Sequence, residues 1–285
     1  MTKKAGKAVT RALAEDIERM FDAEPDVRAD AYDSVHQMRV ATRRLRSVLR
    51  SYRALFRRTA TADLSAELKW LAGLLGVARD AEVRAERFAA LLDNGGHAAV
   101  ATRLVDAQRA IYANAHAEVL EALDSDRYAE LRETLERWRT DPALRGKRGD
   151  APAKKVFRNV LERDTERLRT RIHAEPDLPD DERVEALHDI RKAAKRLRYS
   201  AEAAVQLLGD DADELRGQAK KVQTILGDHR DAVEAAQTIL AAATEAEATN
   251  AGADTDIYLQ LATAEEAAAG RELARYPEAA QAFTT

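Results

Sequence analysis

The sequence predicts an all-α protein built twice from antiparallel helices, and three observations predict it. Helix-forming residues fill nearly the whole chain, and no stretch sustains the period-2 alternation of a strand. The prolines are few and fall at helix boundaries, at Pro25, Pro142, Pro152, Pro176, Pro179 and Pro277. A set of motifs also recurs in order at nearly one offset. His36-Gln-Met-Arg39-x-x-x-Arg43-Arg44-Leu45-Arg46 returns 152 residues later as His188-Asp-Ile-Arg191-x-x-x-Lys195-Arg196-Leu197-Arg198. Ala23-Glu24-Pro25-Asp26 returns as Ala174-Glu175-Pro176-Asp177, and Leu75-Gly76-x-x-Arg79-Asp80 as Leu226-Gly227-x-x-Arg230-Asp231, both at an offset of 151.

The first predicted helix, 3–23, is amphipathic and carries Lys4, Lys7 and Arg11 at i, i+3 and i+7. The second, 33–59, is the most distinctive stretch. His36 to Arg58 holds one His and eight Arg, with no acidic residue between Ser34 and Ala62. His36, Arg39, Arg43, Arg46, Arg50, Arg53 and Arg57 step alternately by three and four, which places them on one ridge roughly 30 Å long. Met38, Ala41, Leu45, Val48, Tyr52, Leu55 and Phe56 form a separate apolar stripe that must face a core. Crowding like charges on one ridge costs a few tenths of a kcal/mol per neighbouring pair, and a polyanionic partner would offset that cost.

Further helices are expected at 62–93, 97–123 and 127–140 in the first half. The second half supplies 153–173, 182–208, 211–247 and 255–275. The halves are 1–142 and 153–285, with 143–152 read as a linker inside the Gly- and Pro-rich run Asp141 to Pro152. Long helices with short connections imply two antiparallel bundles, each of about four main helices, related by a pseudo-twofold. In the second copy His188, Arg191, Lys195 and Arg198 keep the basic stripe, but Glu202 stands where Arg50 does. The second stripe is therefore shorter.

Composition bounds the function. The formal net charge is −4 and the pI about 6.0, so an anion site must be a local patch. The balance is +8 from Val35 to Ala62 and −8 from Asp231 to Thr285. That layout argues against a general nucleic-acid coat protein, which would be basic overall. The absence of cysteine excludes disulfides, zinc–thiolate sites and Cys nucleophiles. The N-terminal stretch lacks the apolar core of a signal peptide, and the longest apolar run, Leu71 to Ala78, is too short to span a membrane. A cytoplasmic protein is expected. No P-loop, G-x-S-x-G or HExxH motif is present, so no enzyme class suggests itself.

The paired H-x-x-R-x-x-x-[RK]-R-L-R signatures at 36–46 and 188–198 and the two L-G-x-x-R-D blocks at 75–80 and 226–231 make the chain resemble the CHAD (conserved histidine α-helical domain) family over essentially its full length. The resemblance implies two four-helix bundles with a basic surface or channel where they meet, binding inorganic polyphosphate. With no catalytic or metal-ligating constellation in the sequence, the expected function is non-enzymatic binding without cofactor or metal, with docking on polyphosphate granules as an expected setting. Polyphosphate has about one charge per unit and no bases, so closely spaced cations without aromatic platforms suit it. A cation every 3.5 residues recurs at roughly 5 Å along a helix, the scale of a phosphate repeat.

Carried over to this sequence, the binding residues are His36, Arg39, Arg43, Arg46 and Arg50, with His188, Arg191, Lys195 and Arg198 in the second half. Lys4, Lys7, Arg11, Lys155 and Arg158 join them from the first helix of each half, and Lys69 and Lys220 from the rim. Arg44 and Arg196 point about 80° away from the histidines and are expected to pair with carboxylates. Arg79 and Arg230 are expected to be structural, each with its following Asp acting as a helix cap. Asp33 and Glu185, three residues before the histidines, are candidate partners for them. Protonation of the two histidines predicts tighter binding below about pH 6.5. Other readings remain open: a phosphoanhydride-acting enzyme with His36 and His188 as phosphoryl carriers, or a nucleic-acid or acidic-protein binding module.

Overall fold

The computed structural model describes residues 3–92, 97–248 and 255–284. Among these the chain is helical throughout, with two isolated β-bridges and no strand. The elements are α1 (Ala5–Arg28), α2 (Ser34–Ser51), α3 (Arg58–Leu92), α4 (Ala98–Ala101), α5 (Ala107–Leu123), α6 (Asp126–Thr140), α7 (Gly146–Gly149), α8 (Ala153–Ala174), α9 (Asp180–Glu202), α10 (Val205–Leu208), α11 (Asp210–Ala248) and α12 (Thr255–Ala280).

The apolar stripe predicted for α2 is its core face. Met38, Ala41, Leu45 and Val48 are all buried, as are Tyr52, Leu55 and Phe56 beyond the helix end. The expected single helix over 33–59 instead stops at Ser51, followed by a 3₁₀ turn at Arg53–Leu55. Burial of aromatic rings explains the break. The Tyr52 ring lies 4.4 Å from that of Phe157, and its hydroxyl donates to the Ser200 carbonyl at 2.9 Å. Phe56 takes extended backbone, bridges Leu144 and packs 5.6 Å from Trp138. The ridge His36 to Arg57 is thus cut after Arg50.

Other boundaries also move. α1 runs through Pro25 to Arg28, because a proline in the last turn removes only one helical hydrogen bond. The expected helix 97–123 contains a π-helical stretch at Thr102–Asp106. The expected helix 182–208 is divided between α9 and α10. α11 begins with Asp210, Asp211 and Asp213, which complement the positive end of the helix dipole.

α1 packs on α2 and α6, α3 on α2 and α5, while α9 packs on α8 and α11, and α11 on α12. One buried cluster joins α1, α2, α3, α5 and α6 and takes in Phe157, Val160 and Leu161 from α8. A second joins α8, α9, α11 and α12. A third, around Phe88, Leu104, Ile239 and Tyr258, ties the far end of α3 to α11 and α12. α2 and α9, the two helices with the duplicated basic signature, touch each other directly.

The segment after α6 is fastened to the body by its backbone. Arg57 donates to the Ala143 carbonyl and Arg145 to that of Leu55, each at 2.7 Å. Ala5 donates to Ala151 and Ala153 to Lys3, each at 2.9 Å. A run that reads as a connection is therefore a fixed wall.

Candidate anion-binding groove

Where α2 meets α9, an open groove of about 1060 Å³ runs along their basic sides. Its polar lining includes Arg43, Arg46, Arg50 and Arg53, Arg58 and Lys69 from the start of α3, and Arg145 and Arg148 from around α7. Arg163 of α8 and Lys192, Lys195 and Arg196 of α9 complete it, giving twelve cations and no carboxylate. Only three of the twelve are ion-paired: Arg163 and Arg196 with Asp164, and Lys192 with Asp189 and Glu185. The other nine have no carboxylate within 4.0 Å among the described residues. Most arginines outside the groove among the described residues have a carboxylate within 4.0 Å, as Arg28, Arg44, Arg87 and Arg127 do.

Charge density is highest at the end where α2 crosses α9. Lys195 sits half-buried there with Arg39, Arg43, Arg46 and Arg191 around it. Burial, and then the four guanidinium groups, bring its ammonium down to about pKa 7. Burial likewise lowers the pKa of Arg43 and Arg46. Arg43 and Arg198 lie over the Tyr199 ring at 5.8 and 5.2 Å. The buried Nε atoms of Arg43, Arg191 and Arg198 have no hydrogen-bond partner. A polyanion entering here would meet donors that the protein itself leaves unsatisfied.

The duplicated signatures interlock beside this end. Arg39 crosses to Asp80 at 2.7 Å, over Gly76, whose added Cβ would lie 3.9 Å from Nη2 of Arg39. Arg191 lies against Gly227 in the same way, with a built Cβ only 3.3 Å from its Nε, and Asp231 feels its charge. The glycine of each L-G-x-x-R-D block leaves room for the arginine of the other motif. Asp80 therefore pairs with Arg39 rather than capping a helix.

Sequence reasoning placed both histidines in the binding site, but neither lines the groove. Nη1 of Arg230 donates to Nδ1 of His188 at 2.5 Å. His36 is close enough to Arg79 to feel its charge. Burial and then these arginines hold both rings below the usual histidine pKa, which moves a histidine-linked window of the free protein below pH 6.5. The expected carboxylate partners do act on the rings, Asp33 favouring the charged form of His36 and Glu185 that of His188, but each is shared with another group. Asp33 accepts from Gln37 at 2.6 Å and lies 3.8 Å from Arg79, and Glu185 lies 3.5 Å from Lys192.

Of the other expected residues, Arg43, Arg46, Arg50, Lys69 and Lys195 line the groove, and Arg39, Arg191 and Arg198 cluster at its end. Lys4, Lys7 and Arg11 instead line a second, mixed-charge groove of about 550 Å³ that shares no residue with the first. Lys4 is paired there with Asp150, and Arg11 with Glu15. Lys155, Arg158 and Lys220 are exposed and line neither. Arg44 and Arg196 are paired as expected, with Glu202 and Asp164.

A family model described as the CHAD domain matches residues 11–240. The chain belongs to the CHAD domain family. It is 38% identical over 254 residues to two uncharacterised proteins of Mycobacterium tuberculosis, MT2285 of strain CDC 1551 / Oshkosh and Rv2226 of strain H37Rv. The alignment covers 88% of this chain and 48% of each, so the CHAD chain spans about half the length of these curated relatives. Its structure resembles PptA from Streptomyces chartreusis with a TM-score of 0.80 at 19% identity, over 98% of this chain and 100% of that one. It also resembles the crystal structure of the CHAD domain from the plant Ricinus communis, with a TM-score of 0.70 at 26% identity, over 97% and 88% of the two chains.

Part of this CHAD groove escaped sequence reasoning. Arg58, Arg145, Arg148, Arg163 and Lys192 reach it from four separate segments. One signal was available: Arg145-Gly-Lys-Arg148 is a basic cluster inside the presumed linker.

Proposed function

We propose that this CHAD domain binds inorganic polyphosphate, without catalysis, in the carboxylate-free groove between α2 and α9. The observation that carries the reading is nine cations without a carboxylate partner lining one groove among the described residues. Arg43, Arg46, Arg50, Lys69 and Lys195 would hold the chain, with Arg53, Arg58, Arg145 and Arg148 extending the track. No aromatic side chain lines the groove, which suits a chain of phosphates better than stacked bases. The two halves would be copies of an ancestral bundle whose duplicated basic helices meet at the groove. Association with polyphosphate granules would follow from the same chemistry.

Binding is favoured over phosphoryl transfer because His36 and His188 stand outside the groove, against arginines. Isothermal titration with linear phosphates of increasing length tests the proposal. Affinity should climb with chain length to a plateau and weaken steeply with salt, as counterion release requires. RNA of equal charge displacing long-chain polyphosphate would overturn the reading. So would an acid-labile phosphohistidine on His36 or His188, in favour of a carrier enzyme.

A further inference from the structure

Lys195 differs from every other lysine of the chain in its surroundings. It lines the open groove, yet it is half-buried and ringed by guanidinium groups. Arg39, Arg43 and Arg46 face it from α2, and Arg191 from its own helix. Arg163 on α8, Lys69 on α3, and Arg145 and Arg148 beside α7 line the same cavity, which receives no residue from α11. No carboxylate stands among these groups to hold the amine in its charged form. Lys192, one turn away, has the opposite environment: Asp189 at 2.6 Å and Glu185 at 3.5 Å keep it protonated.

We propose that Lys195 is a site of acylation by small acyl phosphates, whose phosphate end is docked by the surrounding arginines. The neutral Nζ attacks the carbonyl carbon and forms the N–C bond. The bond from that carbon to the bridging oxygen breaks, and inorganic phosphate leaves with the electron pair. The proton shed by nitrogen passes to the departing phosphate or to water. The product is an uncharged amide that cannot be protonated, so acylation would abolish the positive charge that Lys195 carries part of the time and that a bound polyanion would fix. Arginine forks suit the phosphate of such a reagent. They also depress the amine, whose pKa of about 7 leaves about half of it free at neutral pH. An ordinary lysine at about 10.4 has roughly a thousandfold less free amine there. Lower basicity reduces intrinsic nucleophilicity, as it does for thiols with a Brønsted slope near 0.4–0.5. With a similar slope for amines, the net advantage is on the order of thirtyfold before partial burial reduces it.

The experiment treats the intact protein with acetyl phosphate at neutral pH and follows each lysine by quantitative peptide mass spectrometry. Lys195 should acquire acetyl at least about tenfold faster than Lys69, Lys192 or Lys220, with a rate that levels off above about pH 7. Inorganic phosphate should slow it, and a neutral active ester should show smaller selectivity. Acetylation of Lys195 no faster than that of Lys69 or Lys220 would overturn the proposal. Selectivity that is equal with the neutral ester and insensitive to inorganic phosphate would overturn the acyl-phosphate assignment. The proposal goes beyond polyphosphate binding and does not depend on it. A protein that fails to bind polyphosphate but acetylates at Lys195 would sink only the earlier reading.

Discussion

Arg39 reaches Asp80 at 2.7 Å across the helix face that Gly76 leaves open, and Arg191 crosses Gly227 in the second half. The two repeated motifs are thus halves of one packing device that fixes the basic helix against its neighbour. The fit is looser at Gly76, where an added Cβ meets nothing nearer than 3.9 Å, than at Gly227, where it meets Arg191 at 3.3 Å. Alanine in a helix interior is favoured over glycine by about 0.5–1 kcal/mol. Gly76→Ala should therefore raise the thermal midpoint, and Gly227→Ala should raise it less or lower it. Calorimetry of the two variants checks the difference.

Paired and unpaired arginines should separate cleanly in stability. Arg196 lies 3.1 Å from Asp164, a carboxylate that is fully buried. Arg196→Met should destabilise by about 1–2 kcal/mol, because buried Asp164 loses its nearest guanidinium while keeping Arg163 at 3.4 Å and the Ser51 hydroxyl at 2.9 Å. Arg46→Met, in the groove and without an ion pair, should change stability by less than about 0.5 kcal/mol. Urea unfolding of both variants measures the contrast.

Asp16 gives stability a pH signature. It is buried beneath the second groove, and desolvation, only partly offset by Arg44 and Arg19, raises its pKa to about 6. Between about pH 4 and 6 the folded state holds a proton that the unfolded state has released. Stability should therefore rise as pH falls through 6 toward 4, by up to about 3 kcal/mol from this group. Asp16→Asn should lose that component, which unfolding midpoints at pH 7 and pH 4.5 would reveal.

Polyphosphate binding should consume protons. In the free protein Lys195 titrates near pH 7, and a polyanion beside it would raise that value. The complex then holds a proton above pH 7 that the free protein lacks, so affinity should decline as pH climbs from 7 toward 9. Calorimetric titrations in buffers of different ionisation enthalpy should register proton uptake. Lys195→Met should remove it.

The all-helical class, the repeated signatures and the core face of α2 were readable from the sequence because each rests on local periodicity. The same holds for Arg43, Arg46, Arg50 and Lys195 as groove residues, since α2 and α9 touch and their basic sides line one groove, and for Lys69, which reaches it from α3. What sequence could not carry was long-range. The helix break at Ser51 depends on Tyr52 finding Phe157 and the Ser200 carbonyl. Arg145, Arg148 and Arg163 join the groove only through docking of segments distant in the chain. The sequence could not show how the histidines are seated, because a repeated His beside arginines looks the same whether it faces a ligand or another arginine.

The most direct measurement compares polyphosphate affinity in two charge-reversed proteins of unchanged helicity. One carries Arg46→Glu, Arg50→Glu and Lys69→Glu in the carboxylate-free groove, and the other Lys4→Glu, Lys7→Glu and Arg11→Glu in the mixed-charge groove. The first should lose at least about a hundredfold in affinity, as expected when several phosphate contacts become repulsive. The second should lose no more than about threefold. Retention of affinity in the first, or an equal loss in the second, would contradict the placement of polyphosphate between α2 and α9.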